Sequence, residues 1–369
     1  MYVNYYPRVN ALRAQAHLTE ELERTRHIQT MEINSEDAST LAVAQDNMIK
    51  WHNSKLRAII IDFYKYLIDN GRYPFIEHAE ELYTTFKIPK ASGGAREIKA
   101  PIDELKHVQK EFTRFMHNDC KLLYHDAVHS FTRKRNCKTA LVSHQERHAR
   151  WFLKLDIHDF FGSCTKELVF NSLKCLPNTY WLVTDGIMNL SVTDGVMNLL
   201  DFCFLNNTLP QGAPSSPMLS NIVLQEFDTK LYQVLKERGF HYTRYADDIL
   251  ISKNTSFQFQ PIVELVEQLL PKELQLNKAK TRYGSCNGAN WNLGLMYNKD
   301  LALTVGHRNK HTLQCMFHNL YRDYPEDCEE RREKLRQLNG LLAYYEFIEP
   351  EYFSNLRTKL KAKGYATKP

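Results

Sequence analysis

The stretch Arg244-Tyr-Ala-Asp-Asp-Ile-Leu-Ile251 sets two adjacent aspartates, Asp247 and Asp248, among strand-forming residues. Buried carboxylates without partners are costly, so this pair does not belong in an ordinary core. It fits a tight hairpin tip that presents carboxylate to a divalent cation. A second acidic frame lies upstream, Phe152-Leu-Lys-Leu-Asp-Ile-His-Asp-Phe-Phe161, with Asp156 at its centre. Two acidic strands of this kind, side by side, supply the ligands of a two-metal phosphoryl-transfer site.

The composition sets the frame for such a site. A chain of 369 residues with 43% hydrophobic content buries one large core or two modest ones. The net charge of +5 allows nucleic-acid binding through local patches and excludes a histone-like polycation. Eight cysteines form no C-x-x-C pair, which predicts reduced thiols in a cytoplasmic protein and neither a disulfide framework nor a zinc site. The opening Met1-Tyr-Val-Asn-Tyr-Tyr-Pro-Arg8 lacks a secretory pattern. The most apolar stretch, Ala58 to Leu67, is broken by Asp62 and Lys65 and is too short for a bilayer, so no membrane partner is expected.

Residues 9–50 read as two helices with a polar break at Asn34-Ser-Glu-Asp37. Leu56, Ile59, Ile60, Phe63, Tyr64 and Leu67 then recur at helical spacing up to Gly71, a stripe that reads as core. Tyr83 to Ala100 alternates around Ser92-Gly93-Gly94 as a hairpin, and a helix is predicted over 105–120. A strand through Asp156, helices to about 205, a loop and helix from Leu209 and the Tyr245 hairpin follow. From Lys310 the pattern is helical, and Pro350 opens a last helix ending in Arg357, Lys359, Lys361, Lys363 and Lys368. Val183 to Ser191 is repeated as Val192 to Leu200, a local duplication too short for a solenoid. His144 and His148, at i and i+4 on one helix face, lack a third ligand at zinc spacing and read as polar contacts, to RNA among others.

In their order these blocks resemble a bacterial reverse transcriptase. Ile88-Pro-Lys-Ala-Ser-Gly-Gly-Ala-Arg-Glu-Ile-Lys-Ala-Pro101 and Ala127-Val-His-Ser-Phe-Thr-Arg-Lys-Arg-Asn136 are similar to fingers blocks. The Asp156 segment resembles motif A, Leu209-Pro-Gln-Gly-Ala-Pro-Ser-Ser-Pro-Met-Leu-Ser-Asn221 motif B, and Tyr245 to Asp248 motif C. Leu276-Asn-Lys-Ala-Lys-Thr281 resembles motif D, and Asn292-Leu-Gly-Leu-Met-Tyr-Asn298 the primer-grip motif. The implied fold is an α+β right-hand polymerase. Its implied parts are a helical N-terminal extension (1–75), fingers (76–150), palm with the motif B helix (151–300), and helical thumb with basic tail (301–369). Gln211-Gly212 and Ser216-Pro217 are similar to retron and group II intron enzymes, whereas Trp291-Asn-Leu-Gly294 stands where retron enzymes commonly show Val-Thr-Gly. The implied placement is a stand-alone bacterial defence enzyme related to retrons or abortive-infection enzymes.

The resemblance implies RNA-directed DNA synthesis from dNTPs with Mg²⁺. Asp156 and Asp247 are the expected bridging ligands, with Asp248 the third carboxylate; Asp159 is expected to salt-bridge or cap a helix instead. Phe161 stands at the steric-gate position; either Phe160 or Phe161 could be core, and alternation puts only one of them inward, consistent with one in each role. Lys90 and Arg96 are expected on the triphosphate, Gln211 and Gly212 at the nascent base pair, and Lys280 as proton donor to pyrophosphate. A structured non-coding RNA, a DNA product and a homo- or hetero-oligomeric assembly are the implied partners, and antiviral defence the implied role. The rival expectation is a template-independent or protein-primed DNA nucleotidyltransferase using the same residues.

Overall fold

The computed structural model describes residues 55–73, 75–89, 93–120, 122–176, 199–286, 292–298, 300–324 and 328–365. The helices expected over 9–50, the duplication over 183–198, Lys90 and Lys368 lie outside the described residues. In chain order the principal elements begin with α1 (Lys55–Asp69), β1 (Tyr83–Pro89), β2 (Ala95–Pro101), α2 (Asp103–Asn118), α3 (Cys137–Glu146) and β3 (Trp151–Asp156). Next come α4 (Lys166–Lys174), α5 (Ser216–Val223), α6 (Gln225–Glu237), β4 (His241–Tyr245), β5 (Asp248–Lys253) and α7 (Gln260–Leu269). The chain continues with β6 (Arg282–Ser285), β7 (Met296–Tyr297), β8 (Leu303–Thr304), α8 (His307–Asp323), α9 (Glu329–Ile348) and α10 (Pro350–Ala362). Two compact units result. The described residues of the first fall within Met1–His125, His158–Thr229 and Leu270–Gln275, and those of the second within Asp126–Ile157, Lys230–Leu269 and Leu276–Pro369.

In the first unit the α1 stripe buries Leu56, Phe63 and Leu67, as its spacing predicts. Phe63 and Phe75 both pack edge-on against Phe202 with ring centroids 5.2 Å apart. The fully buried Gln109 of α2 donates to Tyr83 Oη at 3.0 Å and to the Phe202 carbonyl at 2.7 Å, so its amide nitrogen is satisfied inside the core. β1 and β2 form the expected antiparallel hairpin, with Ile88 opposite Arg96. Gly93 and Gly94 take φ of 89° and 77°, a backbone that only glycine adopts at little cost.

The second unit is built on an antiparallel sheet in the order β4-β5-β3-β6. Strand alternation sends Leu153, Leu155, Ile249 and Ile251 to one face, all of them buried. The other face carries Phe152 and Leu250, then Lys154, Asp156 and Asp248 towards one end. Phe152 stacks on Tyr297 at 5.2 Å, and both join a core with Leu313 and Phe317 of α8, Leu342 of α9 and Phe353 and Leu356 of α10. The C-terminal helices are therefore fixed to the acidic face of the sheet by ordinary apolar burial.

Two expectations for this unit are corrected. His144 is fully buried on α3, its ring bonded to Ser252 Oγ at 2.6 Å and Thr243 Oγ1 at 2.9 Å, while His148 lies past the helix end, exposed, at φ 53°. They share no helix face, and His144 faces the protein interior, not RNA. Arg357 is likewise no part of an exposed basic tail: it is buried and bonded to Glu346 of α9, whereas Lys359, Lys361 and Lys363 are exposed.

Candidate active site

Asp156 ends β3, Asp248 opens β5, and the two are direct register partners. Direct partners in an antiparallel pair point to the same face, so the first two carboxylates stand side by side. Ala246 and Asp247 alone connect β4 to β5, with Tyr245 opposite Asp248. So short a connection requires positive φ, and Ala246 takes φ 56°. A residue with a Cβ is strained there by roughly 1–3 kcal/mol. Its surroundings hold it in place: Ala246 N donates to Ser130 Oγ at 2.7 Å, and its carbonyl accepts from Nη1 of the fully buried Arg244 at 3.1 Å. Ile157 N donates to the Asp247 carbonyl at 3.0 Å and Asn277 N to the Asp156 carbonyl at 2.8 Å. Three chain segments are thus tied by main-chain bonds around the acids.

The electrostatics divide the three carboxylates. Lys280 Nζ donates to both oxygens of Asp156, at 2.9 and 3.0 Å, and Lys154 Nζ lies 2.8 Å from Asp248 Oδ1. Neither ammonium is bonded to the Asp247 carboxylate. Burial first, and then the neighbouring Asp248, push its carboxyl above the usual carboxylate range. The hydrogen bond to Asp156, reinforced by the charge of the other acids, raises Lys280 and keeps it an ammonium. Among the described residues no three His, Cys, Asp or Glu side chains converge as a formed metal site, and Asp156 and Asp248 are each bonded to a lysine. The donors nevertheless fit Mg²⁺, which takes hard oxygen ligands from one or two carboxylates. Positive charge already sits against two of the acids, where a dication would place it, and the third carries negative charge that burial disfavours.

Asp156, Asp247, Asp248 and Lys280 therefore come together in the second unit. Arg96, Phe161, Gln211 and Gly212 belong to the first, and each is described within it. Phe160 is buried and Phe161 is half-buried, as expected, but the cause is different: Phe160–Ser163 is a single helical turn, so strand alternation does not divide the pair. Asp159 heads that turn at φ 39° with no side-chain capping bond; its carboxylate folds over Gly162, where a Cβ would collide with it. Among the described residues the expected salt bridge or side-chain cap is not found. Arg96 is exposed on β2. Gln211 accepts from Lys99 N through its carbonyl at 2.7 Å, and Gly212 takes φ 120°. A Cβ on Gly212 would lie 2.8 Å from Ile98 Cγ2 and 3.0 Å from the Lys99 carbonyl, so this glycine lets the loop before α5 meet the hairpin.

Sequence reasoning missed Lys154. The available signal was its place two residues before Asp156, which in a strand puts both side chains on one face. Lys154, Asp156, Lys280 and Arg282 line a cleft bordered by the Leu293-Gly294 turn, where Leu293 and Gly294 both take positive φ, 53° and 79°.

Residues 88–315 match the family described as "Reverse transcriptase (RNA-dependent DNA polymerase)". The chain belongs to the reverse transcriptases. The α+β right-hand polymerase fold expected from the motifs is that of this family. This reverse transcriptase is 33% identical over 288 residues to the Retron Mx65 reverse transcriptase of Myxococcus xanthus, a match covering 76% of the chain and 65% of the relative. It is 27% identical over 289 residues to the Retron Ec83 reverse transcriptase of Escherichia coli, covering 75% of the chain and 86% of that protein. The bacterial, retron-like side of the expected placement is therefore the supported one. A solved apo telomerase from Candida tropicalis matches at a TM-score of 0.43 with 12% identity, over 75% of the chain and 57% of the telomerase. Among the described residues, no helix is long and apolar enough to cross a membrane.

Proposed function

We propose that the chain copies RNA into DNA with two Mg²⁺ ions held by Asp156 and Asp247, Asp248 completing the acidic set. The observation that carries this reading is the register pairing of Asp156 with Asp248, with Asp247 in the adjoining turn. Bound there, the metal would lower the pKa of the primer 3′-hydroxyl and neutralise charge on the departing pyrophosphate. Lys280, kept as an ammonium beside Asp156, is the proton source for the pyrophosphate. Phe161 excludes a 2′-hydroxyl, Lys90 and Arg96 hold the triphosphate, and Gln211 and Gly212 support the nascent base pair. The names of its relatives favour a retron-type enzyme, and the resemblance implies for it a dedicated structured RNA as template or scaffold and a role in antiviral defence. The free thiols of all eight cysteines support a cytoplasmic setting.

The test is to purify the protein from its native locus, measure its assembly mass, and sequence the bound nucleic acid and the DNA made with Mg²⁺ and dNTPs. A discrete RNA with complementary DNA, absent in Asp247→Asn, is the expected result. DNA with no matching RNA, or DNA covalently joined to protein, would instead establish the template-independent or protein-primed reading.

A further inference from the structure

The acidic face contains a cation that the reaction as proposed does not use. Lys154 stands directly opposite Arg282 in the β3–β6 register. Like charges so placed disfavour strand pairing. Lys154 answers this by leaning diagonally across the β3–β5 ladder to Asp248, at 2.8 Å. The two lysines of the site differ in how firmly they are held. The Lys280 side chain is 60% exposed and reaches Asp156 from a short turn, whereas that of Lys154 is 24% exposed and rises from the middle of the sheet. Its neighbour on the same face of β3, Phe152, is locked in the core.

We propose that Lys154 is a positioning residue that serves as the resident counter-cation of Asp248, holding that carboxylate in place and limiting how strongly the acidic face attracts divalent metal. Lys280, exposed and bonded to an expected metal ligand, is the ammonium that gives way when a dication binds. Lys154 remains. Asp248 is thereby neutralised from within the protein, which explains in charge terms why it is the less direct member of the set. Two ammonium groups, Lys280 and Lys154, are bonded to two of the three carboxylates. With Lys280 displaced, the Lys154 ammonium is still bonded to Asp248.

This inference rests on the proposed metal site at Asp156 and Asp247, and its test separates the two ideas. Mn²⁺ is titrated into the full-length, nucleic-acid-free protein and the free ion is followed by electron paramagnetic resonance. Asp247→Asn serves as the control for the site itself. Lys154→Met is expected to bind Mn²⁺ roughly fivefold to tenfold more tightly than the parent, since removing a unit charge roughly 6–8 Å from a dication has that effect at water-like dielectric. Lys154→Arg keeps the charge and is expected to match the parent. Lys154→Gln is measured as well, so that a folding failure of the methionine variant does not end the test; circular dichroism checks each protein. Unchanged or weaker Mn²⁺ binding in the folded neutral variants overturns the role of Lys154. Undiminished binding in Asp247→Asn overturns the metal site instead.

Discussion

His144→Ala removes the residue that ties α3 to the two strands carrying the Tyr245-to-Asp248 turn. In the native fold its ring spans Thr243 of β4 and Ser252 of β5, at 2.9 and 2.6 Å. Thr243 is 2% exposed and Ser252 is 0% exposed, so neither hydroxyl has ready access to replacement water. Leaving a buried polar group unpaired costs roughly 1–3 kcal/mol, and two are orphaned here. The ring also packs against Phe152 at 5.8 Å and His241 at 4.5 Å, contacts that alanine cannot make. The expected loss is about 3–5 kcal/mol, a large share of the roughly 5–15 kcal/mol that holds a domain together. Urea unfolding at neutral pH, extrapolated linearly to water, measures it. The triple variant His144→Ala, Thr243→Val, Ser252→Ala removes the orphans as well as the ring and is expected to be less destabilised than the sum of its single changes. A loss below about 1 kcal/mol at an unchanged slope would refute the buried-anchor reasoning. Weakened RNA binding at full stability would return His144 to the role of an RNA contact.

Two further outcomes are expected. Phe161→Ala should raise incorporation of ribonucleotides relative to deoxynucleotides by roughly tenfold or more, read from competing extension reactions; an unchanged ratio removes Phe161 from the gate. His129 and His241 are held at about 4, below their ordinary 6.5, mainly by burial. Because the folded values are depressed, the fold keeps these rings neutral while the unfolded chain takes up protons as the pH drops below 6.5. Their stabilising effect is therefore complete above about pH 6.5 and is lost as the pH falls towards 4. The urea midpoint should drop between pH 7.5 and pH 4.5, and His129→Gln with His241→Gln should flatten that drop.

Much of the site was legible because strand alternation is a strong signal. An aspartate inside Phe-Leu-Lys-Leu-Asp-Ile can sit only at a strand end or against a charge, and Asp156 does both. The Gly93-Gly94 hairpin, the α1 stripe and the Pro350 helix start follow from equally local rules. What escaped depended on partners distant in sequence. Nothing local to Lys154 points to Asp248; the β5 register brings the two together. The spacing of His144 and His148 suggested a shared face because nothing local marks the helix end at Glu146. Asp159 resembled a capping residue, yet a left-handed backbone turned its carboxylate onto Gly162. The close neighbours of Gly212, the Ile98 side chain and the Lys99 carbonyl, belong to a hairpin far upstream that nothing local to the glycine announces.

The bond from Lys280 to Asp156 joins residues 124 positions apart, and Asn277 reaches the same aspartate through its main chain. A chain emerging from the ribosome therefore displays all three aspartates well before it has the residues that brace and neutralise the first of them. Contacts of such long range form late and slowly. The bracing of the first aspartate is thus an event of chain completion: a prematurely terminated product that retains every acid but stops before Asn277 lacks both the main-chain bond and the lysine that hold Asp156.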